Sequence, residues 1–120
     1  MTTTPHTVLI VEDEEDLREM MKDALELKGY AVVTANEGEE ALSKLDGIEH
    51  LCLVLLDLLM PGMNGWDFFT KLRERPELSA VPVIVHSSAA DRAPAGVTRV
   101  LQKPVPFDRL ISVVGEYCAS

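Results

Sequence analysis

Short, continuous apolar runs that alternate with segments of helical periodicity limit most strongly how this chain can fold. Residues 8–11, 51–56 and 83–85 are uninterrupted runs of Val, Ile, Leu and Cys. Such runs are typical of strands that are buried on both faces of a sheet. After the first run, apolar residues recur at helical spacing, namely Leu17, Met20, Met21, Ala24 and Leu25. The alternation predicts an α/β domain whose parallel sheet is covered by helices on both faces.

The remaining elements follow the same rhythm. Residues 31–35 and 97–101 are predicted as two further strands, and residues 39–45 as a second helix. A third helix is indicated by the apolar spacing of Trp66, Phe69 and Leu72. A closing helix is indicated in the same way by Phe107, Leu110, Ile111, Val114 and Tyr117. The sequence therefore predicts five strands with a helix after most of them.

The connection after the fourth strand is the exception. Residues 89–97 include Pro94 and Gly96, and a crossover with a complete helix normally needs at least about 10–12 residues. The fourth crossover helix is therefore predicted to be missing or reduced to about one turn near residues 89–93.

Size and charge define the class of protein. With 120 residues, 47% of them hydrophobic, the chain fits one domain over residues 1–120 with a core of about 7–118. The formal charge of −9 repels phosphate backbones, so direct nucleic-acid binding is not expected. Residues 1–5 do not resemble a signal peptide, and the longest apolar run is too short to span a bilayer. We therefore expect no membrane association and a cytoplasmic location.

The cysteines give no motif. Cys52 and Cys118 are the two cysteines of the chain, and they stand in no metal-ligand or redox spacing. Cys52 lies within an apolar run and is interpreted as a small core residue. His6, His50 and His86 are scattered and are interpreted as surface or partly buried histidines rather than as a metal-binding set.

Polar side chains follow four of the predicted strands. Glu12-Asp13 follows the first strand, Asp57 the third, Ser87-Ser88 the fourth and Gln102-Lys103 the fifth. Because ligands of parallel α/β sheets bind outside the carboxyl ends of the strands, we expect these groups to meet at one edge.

The charges of this set indicate its chemistry. Three carboxylates and Lys103 sum to −2, so the site is expected to attract a divalent cation or hold a proton. Oxygen ligands without His or Cys suit Mg²⁺. With that charge neutralised, Asp57 can act as a nucleophile on phosphorus. Lys103 and a Ser hydroxyl can donate hydrogen bonds to phosphoryl oxygens.

Taken together with the turn-rich run of residues 58–65 and the Lys103-Pro104 dipeptide, these residues resemble the response-regulator receiver domains of two-component signalling, across residues 7–118. The resemblance, closest to stand-alone chemotaxis-type regulators, implies a doubly wound, flavodoxin-like sheet of order 2-1-3-4-5. It also implies a cis Lys103–Pro104 peptide bond. The function it implies is that of a regulatory phosphoacceptor, not of an enzyme with a separate substrate.

The resemblance also implies roles for individual residues. Asp57 would accept a phosphoryl group from the phosphohistidine of a sensor histidine kinase or phosphotransfer protein. Ser87 would be the switch hydroxyl, and Lys103 the cationic partner of the phosphoryl group. The implied Mg²⁺ ligands are Glu12, Asp13, Asp57 and the backbone carbonyl of Leu59.

Departures from the family pattern keep a second interpretation open. Val100 stands where the family often has an aromatic residue, Ser88 where it usually has Ala, and Glu12 where Asp is common. Leu59 and Ala89 offer no polar group to an attacking water, so side-chain help for dephosphorylation is expected to be small. The alternative is a receiver-like interaction module that does not depend on phosphorylation. A hydrolase with an aspartyl nucleophile is disfavoured, because Glu12-Asp13-Glu14 lacks the required Asp pair.

The end of the chain suggests how a switch of this kind would act. Since Ser120 comes soon after the predicted last helix, the expectation is a receiver without its own output domain, or one excised from a larger regulator. Its downstream protein target is not indicated by the sequence.

Overall fold

A parallel sheet of five strands, in the order β2-β1-β3-β4-β5, forms the centre of the molecule. The computed structural model describes residues 6–118. Residues 1–5, which are not expected to be a signal peptide, and residues 119–120 lie outside this part. The strands are β1 (Thr7–Val11), β2 (Ala31–Ala35), β3 (Leu51–Leu56), β4 (Val83–Ser87) and β5 (Arg99–Gln102). The helices are α1 (Glu15–Leu27), α2 (Gly38–Leu45), α3 (Gly65–Arg73) and α4 (Phe107–Tyr117). The predicted fold class and strand order are confirmed.

Two apolar layers, one on each face of the sheet, explain the continuous apolar strands. Val8 and Ile10 of β1 pack in one cluster with residues of α1 and α4, whereas Leu9 and Val11 pack in the other with residues of α2 and α3. Successive strand side chains point to opposite faces, so a strand covered on both faces needs apolar residues at every position. Among the described residues 6–118, none of the helices has the length and apolar character needed to cross a membrane.

The shortened fourth crossover is confirmed. Its helical content is a single 3₁₀ turn, Ala90–Arg92. The indole N–H of Trp66 on α3 donates a 2.8 Å hydrogen bond to the carbonyl of Arg92, which ties this turn to the neighbouring helix. Gly96 adopts a φ of 95°, a conformation that side chains rarely tolerate, as the chain turns back toward β5.

One strand boundary differs from the predictions. The fifth strand begins at Arg99 rather than at residue 97, because the Thr98 hydroxyl accepts the hydrogen bond of the Val83 N–H and Val97 instead packs against apolar residues. The fourth strand continues past its apolar run of 83–85 and ends at Ser87, which agrees with the placing of Ser87-Ser88 at its carboxyl end.

The predicted apolar face of α1 is wrong at one residue, Met20, which is not buried. Met20 is 54% exposed, whereas Met21 and Leu25 are buried. Adjacent helical residues are separated by about 100° around the axis, so Met20 lies beside the buried stripe rather than in it.

Cys52, interpreted from the sequence as a small core residue, packs half-buried against the core, but it also takes part in a disulfide that its spacing does not indicate. Cys52, which is half-buried in β3, forms a disulfide with Cys118 directly after α4, and their Cα atoms are 5.7 Å apart. The partners are 66 positions apart in the sequence, so only the fold brings them together. The bridge joins the amino end of β3 to the end of the last helix.

Candidate functional site

The backbone ladder carries the acidic residues to one edge of the sheet. The Glu12 N–H donates to the Ala35 carbonyl and the Asp57 N–H donates to the Val11 carbonyl, each at 3.0 Å. The Lys103 N–H likewise donates to the Ser87 carbonyl at 3.0 Å. Each of these residues follows a strand and is held by its neighbour strand. The predicted convergence at the carboxyl ends of the strands is therefore what the structure has.

Lys103 links two buried carboxylates. Its Nζ lies 2.8 Å from Oε1 of Glu12 and 3.2 Å from Oδ2 of Asp57. Glu12 is 1% exposed and Asp57 is 5% exposed. Two buried carboxylates can lie this close together because the ammonium group between them offsets their mutual repulsion.

Burial shifts the titration of this cluster. Desolvation raises the pKa of Glu12 to about 7, and the nearby charge of Asp57 acts in the same direction. Burial alone would lower the pKa of Lys103, but its hydrogen bond to Glu12 and the two carboxylate charges outweigh this effect and raise it. The cluster therefore has an excess of negative charge that favours a cation or a proton.

The third acidic residue completes a set that fits a hard divalent cation. Carboxylate oxygens of Glu12, Asp13 and Asp57 all lie within 4.8 Å of one another. Asp13 is exposed, whereas the other two are buried, so the cluster opens to solvent on the side of Asp13. A set of oxygen donors that retains access to water suits Mg²⁺. The Leu59 N–H donates to Oδ1 of Asp57 at 3.2 Å, and the role expected for the Leu59 carbonyl stays a prediction.

Ser87 is buried at the same edge but bonded elsewhere. Its hydroxyl oxygen accepts a 3.1 Å hydrogen bond from the Ala89 N–H, and the side chain is fully buried. Lys103–Pro104 is a cis peptide bond, as the resemblance implied. The structure thus brings Lys103 to Asp57, whereas the Ser87 hydroxyl is engaged by its own loop.

Gly65 supports the site, a role that its position in the turn-rich run of residues 58–65 does not by itself indicate. A Cβ atom at this position would lie 2.4 Å from the Asp57 carbonyl oxygen and 2.7 Å from the Leu58 Cα. The Gly65 N–H donates to the Leu58 carbonyl at 3.0 Å. The first turn of α3 therefore packs directly on the backbone of the acidic loop, and only glycine allows this approach.

His86 and Arg18 are two further residues near the site to which the sequence assigned no role there. His86 is 4% exposed, against the expectation of a surface or partly buried residue, and neither ring nitrogen has a hydrogen-bond partner within the described chain. Burial lowers the pKa of His86 to about 4, and the charge of Lys103 adds to this shift. Arg18 donates from Nη1 to the Glu12 carbonyl at 2.9 Å, which ties α1 to the acidic loop.

Comparison with known proteins identifies the class that this fold and site define. A family model of the response regulator receiver domain matches residues 8–115, which is most of the chain. The chain belongs to the response regulator receiver domain family. Receiver domains are regulatory phosphoacceptor domains of phosphorelay signalling that bind Mg²⁺ and interact with histidine kinases or phosphotransfer proteins.

Individual relatives agree with this assignment. The transcriptional regulatory protein CpxR of Escherichia coli is 34% identical over 108 residues, which are 88% of this chain and 46% of CpxR. The chain thus spans about half the length of such curated relatives. An uncharacterised 14.6 kDa protein of Leptolyngbya boryana is 35% identical over 92% of this chain and 88% of its own length.

Solved structures extend the comparison. A putative response regulator from Chloroflexus aurantiacus superposes with a TM-score of 0.86 at 30% identity, covering 98% of this chain and all of the other. The response regulator TrrA from Thermotoga maritima, in complex with Mg²⁺ and BeF, has a TM-score of 0.80 at 28% identity over 93% of this chain and 98% of TrrA.

Proposed function

We propose that this chain is a phosphorelay switch that accepts a phosphoryl group on Asp57 in a Mg²⁺-dependent reaction. The donor is the phosphohistidine of a sensor histidine kinase or of a phosphotransfer protein. The whole chain acts as one receiver domain in the cytoplasm, without direct contact to nucleic acid or membrane. The single observation that carries this proposal is the bridging position of Lys103, whose Nζ contacts both Glu12 and Asp57.

The transfer step assigns a task to each group around Asp57. One carboxylate oxygen of Asp57 forms the new P–O bond while the P–N bond of the donor breaks, and the donor imidazole leaves with that electron pair. Lys103 already contacts Oδ2 of Asp57. Its ammonium group can therefore donate hydrogen bonds to the phosphoryl oxygens and stabilise their negative charge during transfer. The Leu59 N–H holds Oδ1 and fixes the plane of the carboxylate.

The metal would be held by carboxylates of the same cluster. Glu12, Asp13 and Asp57 would be its protein ligands, with the Leu59 carbonyl as a further one. When bound, Mg²⁺ supplies positive charge that reduces the repulsion between the acidic cluster and an incoming phosphoryl group. The buried position of Glu12 and Asp57 strengthens this electrostatic effect by excluding water.

Signal output would begin at Ser87. In this structure the Ser87 hydroxyl oxygen accepts a hydrogen bond from the Ala89 N–H. A phosphoryl group on Asp57 would offer the Ser87 hydroxyl a charged acceptor to which it can donate. Rotation of Ser87 releases the Ala89 backbone, and the 3₁₀ turn at Ala90–Arg92 follows directly. Val100 is 42% exposed on β5, the outer strand next to this turn. A partner that binds beside β5 would therefore detect the rearrangement of the turn.

The experiment is a phosphorylation assay on the purified chain. Incubation with Mg²⁺ and acetyl phosphate should add the mass of one phosphoryl group, and Asp57→Ala should remove this gain. Asp23→Ala, which removes an exposed carboxylate of α1, is the matched control and should be phosphorylated like the wild type. A chelator should suppress the reaction. If the wild type gains no mass with Mg²⁺ present, the phosphorylation-independent interaction module becomes the better account.

Lys103→Met tests the observation on which the proposal rests. Removal of the ammonium group should slow phosphorylation by about a hundredfold, in the range measured when one charge-stabilising donor is removed from an active site. Lys44→Met removes a lysine that pairs with Glu40 on α2 instead and should leave the rate unchanged. Equal rates for the two variants would contradict the role given to Lys103.

A further inference from the structure

A second cluster of ligand-type side chains lies at the amino ends of the strands, opposite the acidic edge. His6 precedes β1, Cys52 lies in β3 and Cys118 follows α4. His6 Nδ1 is 3.6 Å from Cys52 Sγ and 4.0 Å from Cys118 Sγ. These donor atoms all lie within 4.8 Å of one another. None of them takes part in the site around Asp57.

The distances from the imidazole to the two sulfurs fit a tetrahedral metal site. Zinc binds thiolate sulfur at about 2.3 Å and imidazole nitrogen at about 2.0–2.1 Å, so neighbouring sulfur and nitrogen ligands are about 3.6 Å apart. The two sulfurs are joined as a disulfide in the structure. As two thiolates they would have to separate to about 3.8 Å in such a site, a movement that side-chain rotation in Cys52 and Cys118 can provide.

His50 lies beside the cluster but outside the set of donor atoms within 4.8 Å of one another, so its side chain must rotate to become a fourth ligand. His50 lines a cavity of about 240 Å³ together with His6, Leu51 and Cys52. Its backbone has a φ of 56°, an uncommon conformation for a residue with a side chain. The His50 carbonyl accepts a 3.1 Å hydrogen bond from the Thr7 N–H. Two thiolates and two imidazoles form one of the ligand sets of structural zinc sites.

The backbones of these residues are already fixed by the fold. The Tyr30 hydroxyl donates to the Cys118 carbonyl at 2.5 Å, and the Cys118 N–H donates to the Val114 carbonyl at 2.8 Å. The His6 carbonyl accepts from the Ala31 N–H at 3.0 Å. Because three segments of the chain are held in place, little further ordering is needed for a metal to bind.

We propose that the reduced form of this protein binds one Zn²⁺ through Cys52, Cys118 and His6, with His50 as the fourth ligand. The disulfide is the metal-free, oxidised state of the same site. A reductant supplies the two electrons while Cys52 and Cys118 become thiols. A dithiol gives up two protons and becomes a disulfide, whereas a phosphine becomes its oxide and water supplies the oxygen and the two protons. Zn²⁺ then replaces the two thiol protons, which are released to solvent.

The experiment compares two redox states of one sequence. The wild-type protein is reduced with a phosphine, which is then removed under anaerobic conditions. The reduced protein is titrated with Zn²⁺ or Co²⁺ in the presence of excess Mg²⁺, which should occupy the carboxylates around Asp57. The reduced protein should bind one ion and release two protons, and Co²⁺ should give the absorption of a tetrahedral thiolate complex. The oxidised protein, which has the same sequence, should bind neither ion at this site.

Variants assign the ligands. Cys52→Ser and Cys118→Ser should each weaken Zn²⁺ binding by at least about a hundredfold, the upper end of what loss of an outer-shell contact costs. His6→Ala should weaken it markedly and His50→Ala by about tenfold, because water can replace one ligand of a zinc site. Circular dichroism confirms folding of each variant. The proposal is overturned if the reduced protein binds no zinc at micromolar concentration, if the Co²⁺ complex lacks thiolate absorption, or if both cysteine variants bind as the wild type does.

Discussion

The two ends of the central sheet are built in different ways. At the carboxyl ends, Glu12, Asp57 and Lys103 each follow a strand directly and are held by strand-to-strand hydrogen bonds. At the amino ends, His6, Cys52 and Cys118 come from a segment before β1, from β3 and from the end of α4. The first end is charged and uses oxygen and ammonium groups, whereas the second uses sulfur and imidazole. Strand geometry alone therefore assembles the first site, whereas the second also depends on how α4 packs.

Loss of the disulfide should have the largest effect on stability. The bridge closes a loop over a sequence separation of 66 residues, and the loop-entropy relation gives about 4 kcal/mol of stabilisation for that length. We expect reduction, with a chelator present, to lower the free energy of unfolding by up to about this amount, measured by urea denaturation. The Cys52→Ser/Cys118→Ser double variant should match the reduced protein.

The same experiment tests whether the two ends are independent. Phosphorylation of Asp57 by acetyl phosphate should proceed at the same rate in the oxidised and the reduced protein under native conditions. A large change in this rate on reduction would show that the Cys52–Cys118 disulfide affects the site around Asp57, and that the two ends of the sheet are not independent.

Gly65 offers a test of the carboxyl end alone. An added Cβ would lie 2.4 Å from the Asp57 carbonyl oxygen, so Gly65→Ala must displace backbone and should cost about 3 kcal/mol, at the upper end of typical overpacking. Gly115 on α4 has no atom within 4 Å of the equivalent Cβ position. Gly115→Ala is therefore the matched control and should stabilise the protein by about 0.5–1 kcal/mol, since alanine favours helix. Equal stability of the two variants would contradict the packing of α3 on the acidic loop.

Much of the site at the carboxyl ends of the strands could be predicted from the sequence, but little of the cysteine and histidine cluster at their amino ends. Asp57 and Lys103 stand where apolar strands stop, and the topology of a parallel sheet then brings them to one edge. No local pattern signals that Cys52 and Cys118 meet, because their pairing depends on how α4 packs against the start of β3. Gly65 was visible only as a turn residue, since its close contact with Asp57 depends on the course of the backbone.

His86 in β4 is a buried imidazole, 4% exposed, and no local sequence pattern indicates its burial. Its pKa is lowered to about 4 by burial, with Lys103 acting in the same direction and Asp57 against it. The unfolded chain therefore binds a proton at His86 below about pH 6.5, which the folded chain does not bind until about pH 4. Stability from this residue is present above pH 6.5 and is lost as the pH falls toward 4, by about 2–3 kcal/mol.

The measurement for His86 is urea denaturation at a series of pH values. His86→Leu should remove this part of the loss between pH 7 and pH 4, whereas acid effects from carboxylates remain in both proteins. An unchanged slope in the variant would mean that the histidine is protonated in the folded protein.

The smallest expected effect concerns the lifetime of the phosphorylated state. Leu59 is 44% exposed next to Asp57 and its N–H holds Oδ1 of that carboxylate, but its side chain cannot position a water molecule for attack on phosphorus. Leu59→Gln introduces a polar group at this position and should speed loss of the phosphoryl group by about tenfold, since even well-placed groups of this kind contribute about 10²–10⁴-fold. Leu27→Gln, at an 89% exposed position of α1, should decay like the wild type. The decay is followed by intact mass after removal of acetyl phosphate. If Leu59→Gln leaves the lifetime unchanged while Leu27→Gln behaves as expected, water reaches the phosphoryl group from the solvent side near Asp13 rather than past residue 59.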